Sequence, residues 1–273
     1  MNRQLLILTN DGGKEDFLPG IEHDKERFEA FFRSCYGGAW EDNEIFCPIT
    51  NSMNRKTLLE VFQMTEERSH VDYWIIVFCG HGGADEQGRT FLQLAPNDKP
   101  IYIDEIENAL ANSRLLLIAD SCRSLPMMES GGTIPRIMMF SDSTGMSGYR
   151  GRCRTMYNDK IASTPSNLHT IGYATQLWKY ARERENGSGG QYSQALLDCA
   201  KRQIDIAVNH RDDADYVFDG EIASFSNVHA CAKSKVNFET KGKQMPQLFT
   251  PRTAQLPFWV VAKKGVTKFR RKE

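Results

Sequence analysis

The segment YWIIVFCGHGG, residues 73–83, decides the architecture: an apolar run without clean alternation stops abruptly at glycines flanking a histidine. Runs of this kind, bounded by turn residues, read as strands buried on both faces, the kind found in parallel sheets. A second such run, LLLIADSCRS at 115–124, breaks off at an aspartate and a cysteine. Shorter runs recur at Leu5 to Thr9, Glu44 to Ile49, Thr170 to Thr175 and Phe258 to Ala262. Helical periods lie between them: Phe28, Phe31, Phe32 and Cys35 share one face, then Leu58, Leu59 and Phe62, then Ile106, Ala109 and Leu110. Asp104 with Glu107 has capping-box spacing for the third helix, and Ser193 is placed to cap a later one carrying Leu196, Leu197, Ala200 and Ile204. Strand and helix in alternation predict a mostly parallel sheet covered on both faces.

The totals narrow the functional classes. A chain of 273 residues, 40% hydrophobic and 25% charged, has the composition of a globular α/β unit rather than a disordered or fibrous protein. Lys and Arg number 34 against 35 Asp and Glu, so no global field draws the molecule to nucleic acid or to an anionic membrane. The seven cysteines are scattered without a CxxC pair, which favours a reducing compartment and a cytoplasmic protein. The apolar run near the N-terminus, Leu5 to Leu8, is too short for a signal-peptide core. Residues 124–169 carry no strong period and read as an irregular loop or processed linker, containing the basic run Tyr149 to Arg154. The basic stretch 263–273 reads as a solvated tail.

His81 and Cys122 fall just beyond the carboxyl ends of two predicted strands, the edge where open parallel sheets bind ligands. Neighbouring strands lie roughly 5 Å apart, so the imidazole and thiol would face one cleft if these two strands pair. The attacking species of a cysteine is its thiolate, and a neighbouring imidazole can take the proton. The glycines beside His81 permit close approach of a substrate backbone, with the Gly82 and Cys122 amides as oxyanion donors. Blander readings exist: a buried inert cysteine, a histidine in a turn, or a zinc site from Cys79, His81 and Cys122 that lacks paired spacing and a fourth ligand. The Gly12-Gly13-Lys14-Glu15 stretch lacks the full phosphate-loop pattern and reads as a turn.

At Phe78-Cys79-Gly80-His81-Gly82 and Asp120-Ser121-Cys122 the chain resembles the caspase-like cysteine peptidases, in a flavour nearer to metacaspases and bacterial relatives than to animal caspases. LPGIEHD at 18–24, IGYATQ at 171–176, QYSQALL at 191–197 and QMPQLF at 244–249 extend the similarity. The resemblance implies a three-layer α/β sandwich, a six-stranded, mostly parallel sheet between helices. It implies one catalytic domain over 1–262: a large-subunit-like half (1–125), a linker (126–168) and a small-subunit-like half (169–262). No attached adaptor or repeat domain is expected.

The same resemblance implies a pocket for a basic side chain. Asp24 and Asp120 match acidic pocket positions, although Asp24 is equally well placed as the N-cap of a helix over 25–34. Cys79 stands where metacaspases often have a pocket serine, and Thr175, Gln176 and Trp178 are candidates for the groove wall by position, with Trp178 open also to a core reading. Arg123 alone does not make the site aspartate-directed. Relatives often cut themselves after the nucleophile, which makes Arg150, Arg152 and Arg154 the maturation sites to expect. No cofactor is implied; for calcium, Asp98 and Glu129 are the acidic residues at hand. The expected partners are a protein or peptide substrate and a regulatory chain, in a stress or antiviral response, with no nucleic acid and no membrane. The competing expectation is a catalytically silent scaffold.

Overall fold

A computed structural model of the chain describes residues 1–14, 16–124, 147–184, 187–213, 215, 217–251 and 254–264. Glu129, much of the expected linker 126–168 and most of the basic tail lie outside these residues. The strands are β1 (Arg3–Asn10), β2 (Ile45–Phe46), β3 (Tyr73–Gly80), β4 (Gly82–Ala84), β5 (Thr90–Leu92), β6 (Ile101–Tyr102), β7 (Arg114–Asp120), β8 (His169–Tyr173), β9 (Glu221–Ser224), β10 (Gln247–Phe249) and β11 (Pro257–Val261). The helices are α1 (Ile21–Arg33), α2 (Arg55–Arg68), α3 (Ile103–Ala109), α4 (Ser147–Ala162), α5 (Gln191–Asp212) and α6 (Phe225–Glu239).

The central sheet has the order β10-β8-β7-β3-β1-β2. Its pairs are parallel except the edge pair of β10 with β8. The unbroken apolar runs have a direct physical reason, since alternate residues enter two separate cores. Leu5, Ile7, Ile75, Val77, Leu116 and Ile118 pack with α1, α4, α5 and α6, while Leu6, Leu8, Ile76, Phe78, Leu115 and Leu117 pack with α2 and α3. This is the expected three-layer α/β arrangement.

Several boundaries differ from the sequence expectations. The sixth strand of the main sheet is β10, whereas Phe258–Ala262 forms most of β11, which pairs antiparallel with β9 in a separate ribbon. The short strand β10 has a partly exposed burial pattern and therefore no apolar run to announce it. The spacing at Asp104 and Glu107 does not make the cap of α3; the Tyr102 amide donates to Glu105 Oε2 at 3.0 Å instead. Helices α1 and α5 begin earlier than predicted, after Gly20 and Gly190, which leaves Asp24 and Ser193 inside first turns with side chains available for other contacts.

The stretch 147–162 is helical, which corrects the expectation of an irregular loop through 168. The helix buries Cys153, Tyr157 and Ile161, a spacing obscured by partly buried arginines that are held by polar partners. Arg150 donates to the carbonyls of Arg33 and Trp40, Arg152 to that of Lys263, and Arg154 to Glu44 and the Ala39 carbonyl. A peptidase needs an extended segment, so three helical, partnered arginines lose the ground on which cleavage after them was expected.

Arg154 completes a buried cluster. Arg3, fully enclosed, stacks 4.3 Å over Trp40 and binds Glu44 at 3.1 Å. Burial works to raise the Glu44 carboxyl, but hydrogen bonds from Arg154 and Arg3 outweigh it and hold the group at about 2 against an ordinary 4.5. A depressed folded-state pKa contributes stability that is present above the unfolded value and lost on acidification. The wild type is therefore expected to lose more stability than Glu44→Gln between about pH 5 and pH 2, read from urea midpoints of both proteins across that range.

Cys199 of α5 and Cys231 of α6 form a disulfide, a pairing that the scattered cysteine spacing did not suggest. Among the described residues no helix is long and apolar enough to cross a membrane.

Candidate active site

β3 and β7 are neighbours in register, with Cys79 opposite Asp120. His81 and Cys122 each follow that pair by two residues and line one cleft of about 910 Å³ at the carboxyl edge of the sheet. Gly80, with φ +152°, makes the turn out of β3, and a Cβ there would strike the Asn10 main chain. Gly82 lies against Ser121, where a Cβ would come within 2.8 Å of the Ser121 hydroxyl.

The histidine is oriented from a distance in sequence. His81 Nε2 lies 2.7 Å from the Asp16 carbonyl, which can only accept, so Nε2 carries the proton. In the neutral ring Nδ1 is then the basic atom. The loop delivering Asp16 is shaped by its own polar side chains. Asn10 Oδ1 accepts from the Gly12 amide at 2.8 Å, and Asp11 Oδ1 accepts from Gly13 and from Asn51 Nδ2 at 2.8 and 2.6 Å. The turn at Gly12-Gly13 was legible, but a carbonyl contact at long range has no side-chain signature. The Cys122 thiol donates to the Ala181 carbonyl at 3.6 Å.

The two aspartates share one end of the cleft with Glu183. Asp24 is fully buried, accepting from the Gly190 amide at 2.7 Å and from Gln194 Nε2 at 3.1 Å. These contacts across to α5, rather than a helix cap, are its role in this structure. Asp120 Oδ2 accepts from the Ser193 amide at 2.8 Å and hydroxyl at 2.6 Å. Burial pushes the Asp24 carboxyl well up, and the nearby Asp120 adds to this. Burial likewise raises Asp120, against the lowering effect of Ser193. Gly189 and Gly190 lie directly on these carboxylates, and a Cβ at either would run into one of them.

The remaining expected residues stand elsewhere. Cys79 is buried, 3.7 Å from Ser193 Oγ, and does not line the cleft; burial, then Asp24 and Asp120, push its thiol well up. Thr175 is fully buried and Gln176 reaches Met245 Sδ at 3.8 Å, so neither forms the wall assigned to it. That wall comes from Tyr180 to Arg184, a few residues later, because the chain after β8 first loops back to pair with Arg123. Trp178 is 43% exposed, which excludes a core role, and it is not among the residues that line the cleft. Arg123 turns away to Thr90 Oγ1 at 3.0 Å and stacks 4.0 Å from the Tyr173 ring. Asp98 accepts from the Arg55 amide at 3.3 Å, and among the described residues no group of three or more His, Cys, Asp or Glu is arranged to hold a metal.

A cysteine and a histidine lining one cleft at the carboxyl edge of an open, helix-covered sheet are the two side chains that thiol hydrolysis requires. The caspase domain model matches residues 3–257, and the chain belongs to that family of cysteine proteases. Among solved structures it is similar to caspase-1 from Spodoptera frugiperda, with a TM-score of 0.56 and 13% identity over 96% of this chain and 92% of that one. It is also similar to a Geobacter sulfurreducens protein, with a TM-score of 0.53 and 17% identity over 97% and 95%. No curated protein matches the sequence.

Proposed function

We propose that the protein is a cysteine endopeptidase that cleaves after arginine or lysine. The observation that carries this reading is the parallel pairing of β3 with β7, with His81, Cys122, Asp24 and Asp120 all lining one cleft. In the proposed reaction His81 Nδ1 takes the Cys122 proton and the thiolate attacks the scissile carbonyl carbon. The Gly82 and Cys122 amides receive the oxyanion. As the C–N bond breaks, the imidazolium returns the proton to the leaving amine, and water then cleaves the thioester. Asp120, with the sealed Asp24 behind it adding to the acidic field, attracts the cationic side chain of the residue before that bond and disfavours an acidic one.

Control by a separate partner chain and a stress or antiviral setting belong to the same proposal and rest on the resemblance; a cytoplasmic location rests on the short N-terminal apolar run and the scattered cysteines, the latter weakened by the Cys199–Cys231 disulfide. Peptides differing only in the residue before the cleaved bond test it, with and without calcium. Arg and Lys peptides are expected to turn over at least ~100-fold faster than the Asp peptide. Preference for Asp would overturn the pocket assignment.

A further inference from the structure

The acidic end of the cleft holds a third carboxylate that the sequence reading passed over inside the charged run Arg182 to Glu185. Resting on the proposed basic-residue specificity, the geometry points to Glu183 as the group that makes this cleft select a guanidinium over an ammonium. Three carboxylates from three elements meet there: Asp24 on α1, Asp120 at the end of β7, and Glu183 on the wall that also carries Ala181. Glu183 forms an antiparallel bridge with Gly190, the residue whose amide binds Asp24 and whose Cα faces the Asp120 carboxylate. The wall segment is fixed by the Gln191 amide to the Arg182 carbonyl at 2.8 Å and the Arg184 amide to the Gly189 carbonyl at 3.0 Å.

The three acids are not equally open to a ligand. Asp24 is sealed, with both oxygens accepting from the protein. Asp120 offers one edge, since its Oδ2 is occupied by Ser193 and no hydrogen bond among the described residues reaches Oδ1. Glu183 is only half-buried, with Oε1 accepting from the Gly20 amide at 3.3 Å and Oε2 left for another donor. The cation on the same wall whose partners are resolved, Arg184, is drawn off to Asp198 at 3.3 Å and Glu239 at 3.9 Å. A guanidinium presents five N–H donors along separate edges and can bridge two carboxylates on different elements. An ammonium is a compact point charge that gains less from the second. Asp120 supplies the charge any cation needs, and Glu183 supplies the second edge that only the fork uses fully.

Glu183→Gln removes the charge while keeping an oxygen for the Gly20 amide. With matched Arg and Lys peptides, kcat/KM is expected to fall for both in this variant, and roughly tenfold more for Arg than for Lys, mainly through KM. Glu183→Asp should recover part of the ratio. The same question is put to binding alone by titrating agmatine and n-butylamine into Cys122→Ala and Cys122→Ala/Glu183→Gln. Loss of agmatine preference in the double variant supports the assignment. An unchanged preference overturns the role of Glu183 while leaving basic specificity standing. Failure of Cys122→Ala to bind either cation overturns the acidic pocket itself, and the inference with it.

Discussion

Replacing Cys122 by alanine is expected to lower hydrolysis of an Arg peptide by at least ~1,000-fold while leaving the melting temperature within a few degrees of wild type. The size follows from what is removed: without the sulfur there is no acyl-enzyme, and only binding and the oxyanion donors remain. The small structural effect follows from position. Cys122 is partly exposed at the rim of the cleft, beyond the end of β7, and its thiol contact with Ala181 is long at 3.6 Å. His81→Ala should fall into the same range, and Cys122→Ala/His81→Ala no lower than either, because groups that act as one unit are not additive. Progress curves for the three variants, beside circular dichroism melts, make the check. Turnover by Cys122→Ala at more than a tenth of the wild-type rate would remove the nucleophile from the proposal.

The meeting of His81 and Cys122 in one cleft was readable because each lies just beyond the end of a long, largely buried strand, and parallel neighbours place such ends together. The acidic pair was readable only through resemblance. Nothing in the local sequence of Asp24 distinguishes a helix cap from a side chain that reaches across to Gly190 and Gln194, a sequence distance of more than 160 residues. The wall was misplaced by a few residues because Gln176 to Lys179 spend the chain on pairing with Arg123 before the cleft begins. Helix α4 was missed because the partly buried arginines of the basic run, bridged to carbonyls and to Glu44, interleave with and obscure the helical spacing of its buried residues Cys153, Tyr157 and Ile161. The Asp16 carbonyl could not have been found at all, since any residue type supplies a main-chain oxygen.

Asp120→Asn is expected to separate activity from stability by moving them in opposite directions. Asparagine keeps the shape and can present its oxygen to the Ser193 amide, so the cleft should stay built. Its cost is the charge facing the substrate cation, and kcat/KM for Arg peptides should fall roughly 100-fold, the upper end for one charge-assisted hydrogen bond. The fold should gain instead. Burial raises the Asp120 carboxyl above its ordinary 3.8, so the folded chain holds its proton to higher pH than the unfolded chain does. Such a group favours folding at low pH and contributes a penalty that grows as pH rises past the unfolded value. Relative to Asp120→Asn, the wild type should therefore lose stability from about pH 4 upward, until its own carboxyl is ionised in the folded state. Urea midpoints of both proteins at pH 4 and pH 8 read the sign directly. A variant less stable than wild type at pH 8 would mean that Asp120 is anchoring the fold through Ser193, and its loss of activity would then say nothing about a substrate cation. A stable, inactive Asp120→Asn leaves one explanation: a carboxylate kept in an unfavourable, buried place for the sake of the positive charge it meets there.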